Sequence, residues 1–210
     1  MNTHMDIHTP LFNNRSLVGH LREMESNGIT SVSNFLTEHT RTLLLRELEA
    51  MDLKEAEKEV GPYKIKQSYR FTTEFHEDSL YRSVQSALET QLNSTCKAHL
   101  PTHLSKPLHF GDLVVQQYDP TEVGISPHRD GRGYMNIIAV FVLDGRGRFC
   151  ICDNREGDHP REIRNEPGDL LLMRAPGLAG EVIQPFHFVD QIETQRTSFA
   201  LRHKGVFKAS

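Results

Sequence analysis

The sequence predicts a mostly β domain of sandwich or jelly-roll type, with flanking N-terminal helices packed on one face of its sheet. Three observations predict it. The chain changes character near residue 110, and the segment beyond it breaks into eight short apolar runs within about ninety residues. Before that point, apolar residues recur at spacings of three and four, the period of an amphipathic helix. No internal repeat or low-complexity linker divides the 210 residues, so they form one domain, 1–210, with a helical part over about 31–107 and a β core over about 108–204.

The first helix is expected over Glu38–Met51, capped by Thr37, with Leu43, Leu44, Leu45 and Leu48 as its apolar stripe. Lys54 to Glu59 continues as a charged stretch that Gly61-Pro62 ends. Tyr63 to Phe75, polar and aromatic, reads as a strand or a lid. A second helix fits Asp78–Cys96, where Leu80, Val84, Ala87, Leu88 and Leu92 fall on one face. Strands are expected near 113–118, 124–129, 134–143, 147–152, 161–164, 169–174, 184–190 and 197–203. Asp119-Pro120, Asp144-Gly145 and Pro167-Gly168 punctuate them, the last suiting a type II turn.

Composition excludes several classes. Hydrophobic residues make up 37% and charged residues 25%, ordinary for a globular chain. The net charge of −4 comes from residues 1–60, which carry ten acidic and six basic side chains, while the remainder is balanced. A nucleic-acid partner is therefore not favoured, since phosphate binding leaves a basic footprint. No segment approaches the roughly 20 apolar residues of a membrane span. No secretory signal is evident near the N-terminus, and Cys96, Cys150 and Cys152 read as reduced thiols, so the expected address is cytoplasmic. Cys150 and Cys152 should share one strand face, an arrangement that does not favour a mutual disulfide.

His128-Arg129-Asp130 is the chemical centre of the sequence. Residues two apart on a strand project to one side, so His128 and Asp130 can share a metal ion while Arg129 points away. The third ligand is expected from a distant strand, at His187 within Pro185-Phe186-His187-Phe188-Val189. Two imidazoles and one carboxylate on one octahedral face leave three open positions, the arrangement that suits iron(II) and oxygen chemistry. Beyond it, Arg196, Ser198, Ala200 and Arg202 share one strand face and Thr197, Phe199 and Leu201 the other. Two buried arginines need anions. A dicarboxylate cosubstrate supplies them, with Arg196 making a two-point pair and Ser198 adding a bond.

The order His128-x-Asp130, then His187 fifty-seven residues on, then Arg196 nine residues later, resembles the iron(II)/2-oxoglutarate-dependent dioxygenases over roughly residues 108–204. That resemblance implies a double-stranded β-helix, an Fe(2+) cofactor, 2-oxoglutarate and O2 as cosubstrates, and hydroxylation or oxidative demethylation of an organic substrate. Arg196 and Arg202, six apart on the last strand, are similar to the AlkB-like branch. So is Gln116-Gln117-Tyr118, where that branch has Asn-x-Tyr one residue nearer the metal motif. The branch implies cosubstrate contacts from Tyr118, Gln116 and Arg202, with Asn136 a further candidate. Asp130 stands where halogenating relatives carry Gly or Ala, which disfavours halogenation.

Composition leans towards a small-molecule or protein substrate over a nucleic acid. A non-catalytic jelly-roll anion binder and a cupin-like metal enzyme are the competing classes. The first would leave the His-Asp-His order unexplained, and the second would call for a third strand histidine. His109 and His203 read as structural or surface residues. Arg146, Arg148, Arg155, Arg161 and Arg164, interleaved with Asp153, Glu156, Asp158 and Glu162, read as a solvated mixed-charge surface. Arg129 and Arg132 flank the metal motif, where an anionic substrate would pass.

Overall fold

The computed structural model describes residues 10–104 and 106–205. In chain order, its first part comprises α1 (Val18–Asn27), β1 (Ile29–Val32), α2 (Glu38–Leu48), β2 (Lys54–Glu55), β3 (Glu59–Val60), β4 (Ile65–Lys66), β5 (Arg70–Thr72) and α3 (Leu80–His99). The second part is strand but for one 3-10 turn at Leu178–Gly180: β6 (Phe110–Tyr118), β7 (Thr121–His128), β8 (Tyr134–Cys152), β9 (Arg161–Ile163), β10 (Leu170–Arg174) and β11 (Phe186–Lys204).

Both expected helices form. The Thr37 hydroxyl accepts from the Thr40 amide at 3.2 Å and caps α2. Ser79 caps α3, accepting from the Tyr81 amide at 3.2 Å, and the helix starts at Leu80, two residues after the expected Asp78. Leu80, Tyr81, Val84, Leu88, Leu92 and Cys96 form the buried stripe of α3. They pack with Leu21 and Met24 of α1 and Leu44 and Leu48 of α2 against Phe141, Leu172, Phe199 and Leu201 of the larger sheet. Truncating a fully buried residue of this layer such as Leu88 to Ala costs about 2–5 kcal/mol.

Four readings change. The α1 helix was not expected, because it buries only Leu21 and Met24 and has no side-chain cap; its one clear signal is the stop at Gly28, φ +80°. The short strand β1 adds an edge beside β10. The charged stretch 54–59 holds β2 and the start of a β3–β4 hairpin instead of helix. Finally, the runs expected as separate strands at 134–143 and 147–152 join as β8, and those at 184–190 and 197–203 join as β11, each 19 residues long.

Those two long strands build the scaffold. They pair with each other antiparallel, with register shifts opposite Gly145 and Gly147. On one side of the bend, β8 pairs β10 and β11 pairs β6, extending the order to β1-β10-β8-β11-β6-β5-β2. On the other side, β8 pairs β9 and β11 pairs β7, making a smaller sheet. Ile138, Leu171 and Met173 of the first sheet meet Ile125, Phe149, Ile163 and Val189 of the second in one apolar cluster. This is the double-stranded β-helix, or jelly roll. The bend needs glycine: Gly145 has φ +77°, and a Cβ there would lie 1.9 Å from the Gln195 carbonyl oxygen. The Pro167-Gly168 turn closes as expected, with Gly168 at φ +95° and the Asp169 amide donating to the Glu166 carbonyl at 2.9 Å.

Candidate metal centre

The antiparallel register of β7 and β11 sets His187 directly opposite His128, with ring centroids 4.3 Å apart. Asp130 follows just past the end of β7, and its Oδ2 lies 3.4 Å from His187 Nε2. One ligand atom from each of the three lies within 4.8 Å of the others. The His128 Nδ1–H donates to the Ser126 carbonyl at 2.9 Å, which fixes the tautomer and leaves Nε2 as the free donor atom. The three residues singled out in the sequence as ligands are therefore brought together.

Electrostatics keep the set ready for a cation. Burial lowers the His128 pKa, and the charge of Arg155 is among the influences that lower it further. Burial, then His128, pushes His187 down to about 3. Both imidazoles are neutral at neutral pH, as ligation requires. Burial alone would raise the Asp130 carboxyl; Arg202, His187 and His128 outweigh it and bring its pKa to about 2. The carboxylate is held at both oxygens. Arg202 Nε donates to Oδ1 at 2.9 Å, and Gln184 Nε2 to Oδ2 at 3.3 Å.

A cavity of about 390 Å³ opens over this triad, bordered by Tyr69, Tyr134, Ile138, Phe149, Met173 and Val189 among others. Gln116, Tyr118, Arg196, Ser198 and Arg202 also line it, as the strand alternation predicts. Gln117, between the first two, turns away to accept from Arg70 Nη2 at 2.7 Å. Arg196 is 1% exposed. Its Nε is 3.4 Å from Asn165 Oδ1, its guanidinium carbon 5.7 Å from the Tyr118 ring centroid, and its Nη2 has no partner among the described residues. Gly147 makes room for it, since a Cβ there would stand 3.2 Å from Arg196 Cδ.

Two expected contacts need correction. Asn136 does not line the cavity; its Nδ2 lies 3.1 Å from His203 Nδ1 in the buried interior. A φ of +59° takes Asn136 out of strand alternation, so counting by twos misplaces its side chain. Arg202 lines the cavity, but its guanidinium is engaged: besides Asp130 it donates through Nη1 to Asp112 Oδ2 at 3.2 Å. Gln184, Asp112 and Tyr69 were missed in the sequence, although Tyr69 lay in the segment read as a strand or a lid and Gln184 at the start of an expected strand. The mixed-charge reading also fails at Arg155, whose guanidinium stacks on Tyr63 and reaches Phe186.

No family model matches the sequence, and no curated protein does. Solved structures do. A Pseudomonas putida prolyl-4-hydroxylase superposes with a TM-score of 0.63 at 18% identity, covering 90% of this chain and 100% of its own. The viral collagen prolyl hydroxylase from Paramecium Bursaria Chlorella virus-1, in its 2OG complex, gives 0.60 at 12% identity over 87% and 98%. HygX from Streptomyces hygroscopicus, with nickel, 2-oxoglutarate and hygromycin B bound, gives 0.57 at 13% over 90% and 87%. The chain has the fold of these oxygenases. These likenesses do not specifically show the AlkB-like branch, so that refinement rests on the residues of this chain alone.

Proposed function

We propose that this chain is a mononuclear non-haem iron(II), 2-oxoglutarate-dependent dioxygenase that hydroxylates a small molecule or a protein side chain. The observation that carries the proposal is Arg196: a guanidinium buried with no anionic partner among the described residues, in the wall of the cavity that holds a His-Asp-His donor set. An isolated buried cation is costly, and a dicarboxylate would satisfy it.

In this reading His128, Asp130 and His187 would hold the metal ion and leave its remaining positions to other ligands. Iron(II) with 2-oxoglutarate and O2 supplies the oxidation, converting R–H to R–OH while 2-oxoglutarate becomes succinate and carbon dioxide. Arg196 pairs with the distal carboxylate in a two-point contact, and the Ser198 hydroxyl and Tyr118 phenol donate beside it. Gln116 borders the same wall. Arg202, shared between Asp130 and Asp112, holds the ligand carboxylate in one orientation. Tyr69, Ile138, Phe149 and Met173 exclude water around the reacting bond.

The fold likeness supports the class, and two neighbours' bound partners support the substrate leaning: hygromycin B in HygX, and a peptide fragment in a prolyl hydroxylase from Trichoplax adhaerens. The AlkB-like demethylase reading keeps the arginine pair and the Gln116-Gln117-Tyr118 run in its favour. The test is succinate formation from 2-oxoglutarate under air with iron(II). Wild-type protein should form it, and His128→Ala and Asp130→Ala should form none above the iron-only background. Turnover undiminished in either variant contradicts the proposal.

A further inference from the structure

At the rim of the cavity two guanidiniums share one aromatic ring. The Arg129 guanidinium carbon lies 4.0 Å from the Phe186 ring centroid and that of Arg155 lies 5.3 Å from it. Arg155 is sandwiched further, 3.6 Å from the ring of Tyr63, which is itself 62% exposed. Like charges this close repel, and stacking on an aromatic ring offsets only part of that cost. An acidic side chain would be the ordinary remedy. Among the described residues, neither arginine has a carboxylate within ion-pair distance, although Arg41, Arg70, Arg148, Arg164 and Arg202 all do.

Their placement gives the pair a purpose. Arg129 stands between two of the proposed metal ligands and Phe186 precedes the third, so the cluster is fixed to both ligand-bearing segments. Arg129, expected to point away, lines the cavity, whereas Phe186 and Arg155 lie outside its lining, so the pair straddles the cavity's edge. Tyr63 comes from the loop of the β3–β4 hairpin, whose Val60 and Ile65 border the same cavity. Rigid, planar guanidiniums recognise oxyanions by paired hydrogen bonds. The cavity lies near the small end of ligand pockets, which run from about 300 to 1,000 Å³, and part of it goes to the cosubstrate.

We propose that Arg129 and Arg155 form an oxyanion-binding clip, and that the substrate is a compact organic molecule carrying a carboxylate or phosphate there while its apolar part enters the cavity. The proposal rests on the oxygenase reading for the meaning of the cavity, not for the clip itself. Binding is measured calorimetrically with manganese(II) and saturating 2-oxoglutarate, so that Arg196 is already occupied. The probes are a set of N-acetyl amino acids, their methyl esters, and O-phosphoserine. At least one oxyanion probe should bind, and a carboxylate should exceed its ester by about tenfold or more, the scale of a charge-assisted hydrogen bond. Stronger binding of O-phosphoserine assigns phosphate as the oxyanion. In Arg155→Glu, with melting checked for intact folding, the oxyanion preference should vanish, and Arg155→Lys should keep part of it. Failure of every oxyanion probe to bind, equal binding of acids and esters with no phosphate preference, or a preference that survives Arg155→Glu overturns the clip. Absence of 2-oxoglutarate binding in a separate titration of the manganese(II)-loaded protein, with Arg155-dependent probe binding intact, overturns the oxygenase reading instead.

Discussion

Arg196 is the residue on which the proposed cosubstrate assignment turns, because it is buried and its Nη2 has no partner among the described residues, a position that an anion would satisfy. Replacing it with Ala removes a charge-assisted contact of about 1.5–3 kcal/mol, so the 2-oxoglutarate KM should rise roughly tenfold to hundredfold. Steady-state succinate kinetics check this, and a KM within twofold of wild type would count against it. Arg196 was legible in the sequence because a charged residue on the same strand face as Ser198, Ala200 and Arg202 demands a partner. Asp130 and His128 were legible by the same period of two. Gln184 and Asp112 were not. Their bonds to Asp130 and Arg202 join residues 54 and 90 positions apart, and no local pattern records such a contact. Asn136 was misread because a single left-handed residue reverses the counting.

At the scale of elements, β8 and β11 do the work of holding the site. Each supplies residues to both sheets, and their shared bend places Arg196 in the cavity wall. Gly145 is the tightest point of that bend. Gly145→Ala combines a left-handed backbone, worth about 1–2 kcal/mol, with a clash against a backbone carbonyl that has nowhere to move. The expected loss exceeds roughly 2 kcal/mol, read as a lower urea midpoint, and an unchanged midpoint would show the bend to be looser than described. The sequence displayed the two halves of each strand but not their union, since Asp144-Gly145 looks like a hairpin turn and only tertiary pairing carries the chain through it. The helices Glu38–Leu48 and Leu80–His99 were plain from their stripes, the first also from its Thr37 cap, whereas Val18–Asn27 buries too narrow a face to stand out.

Across the whole molecule, the helical layer and the two-sheet core seal the cysteines. Burial raises Cys96 and Cys150 to about 11. The unfolded chain releases these protons from about pH 8.5, while the folded chain keeps them until about 11. Over that window the native state binds more protons, so stability should fall as pH rises. Denaturation midpoints measured at pH 8 and pH 10 check the sign, and a Cys96→Ala, Cys150→Ala variant should flatten the slope; an equally steep slope would assign the effect elsewhere. The fold class was readable from the whole because short strands, turn residues and helical stripes agree with one another. What the oxygenase account claims of the whole is a single metal held by His128, Asp130 and His187, with room for 2-oxoglutarate to chelate it. The visible charge-transfer absorption of the anaerobic iron(II)–2-oxoglutarate chelate measures this most directly. The account predicts one such band per protein chain, lost in His187→Ala. Wild-type protein that binds neither ion nor cosubstrate, and yields no band at saturating concentrations of both, would contradict it.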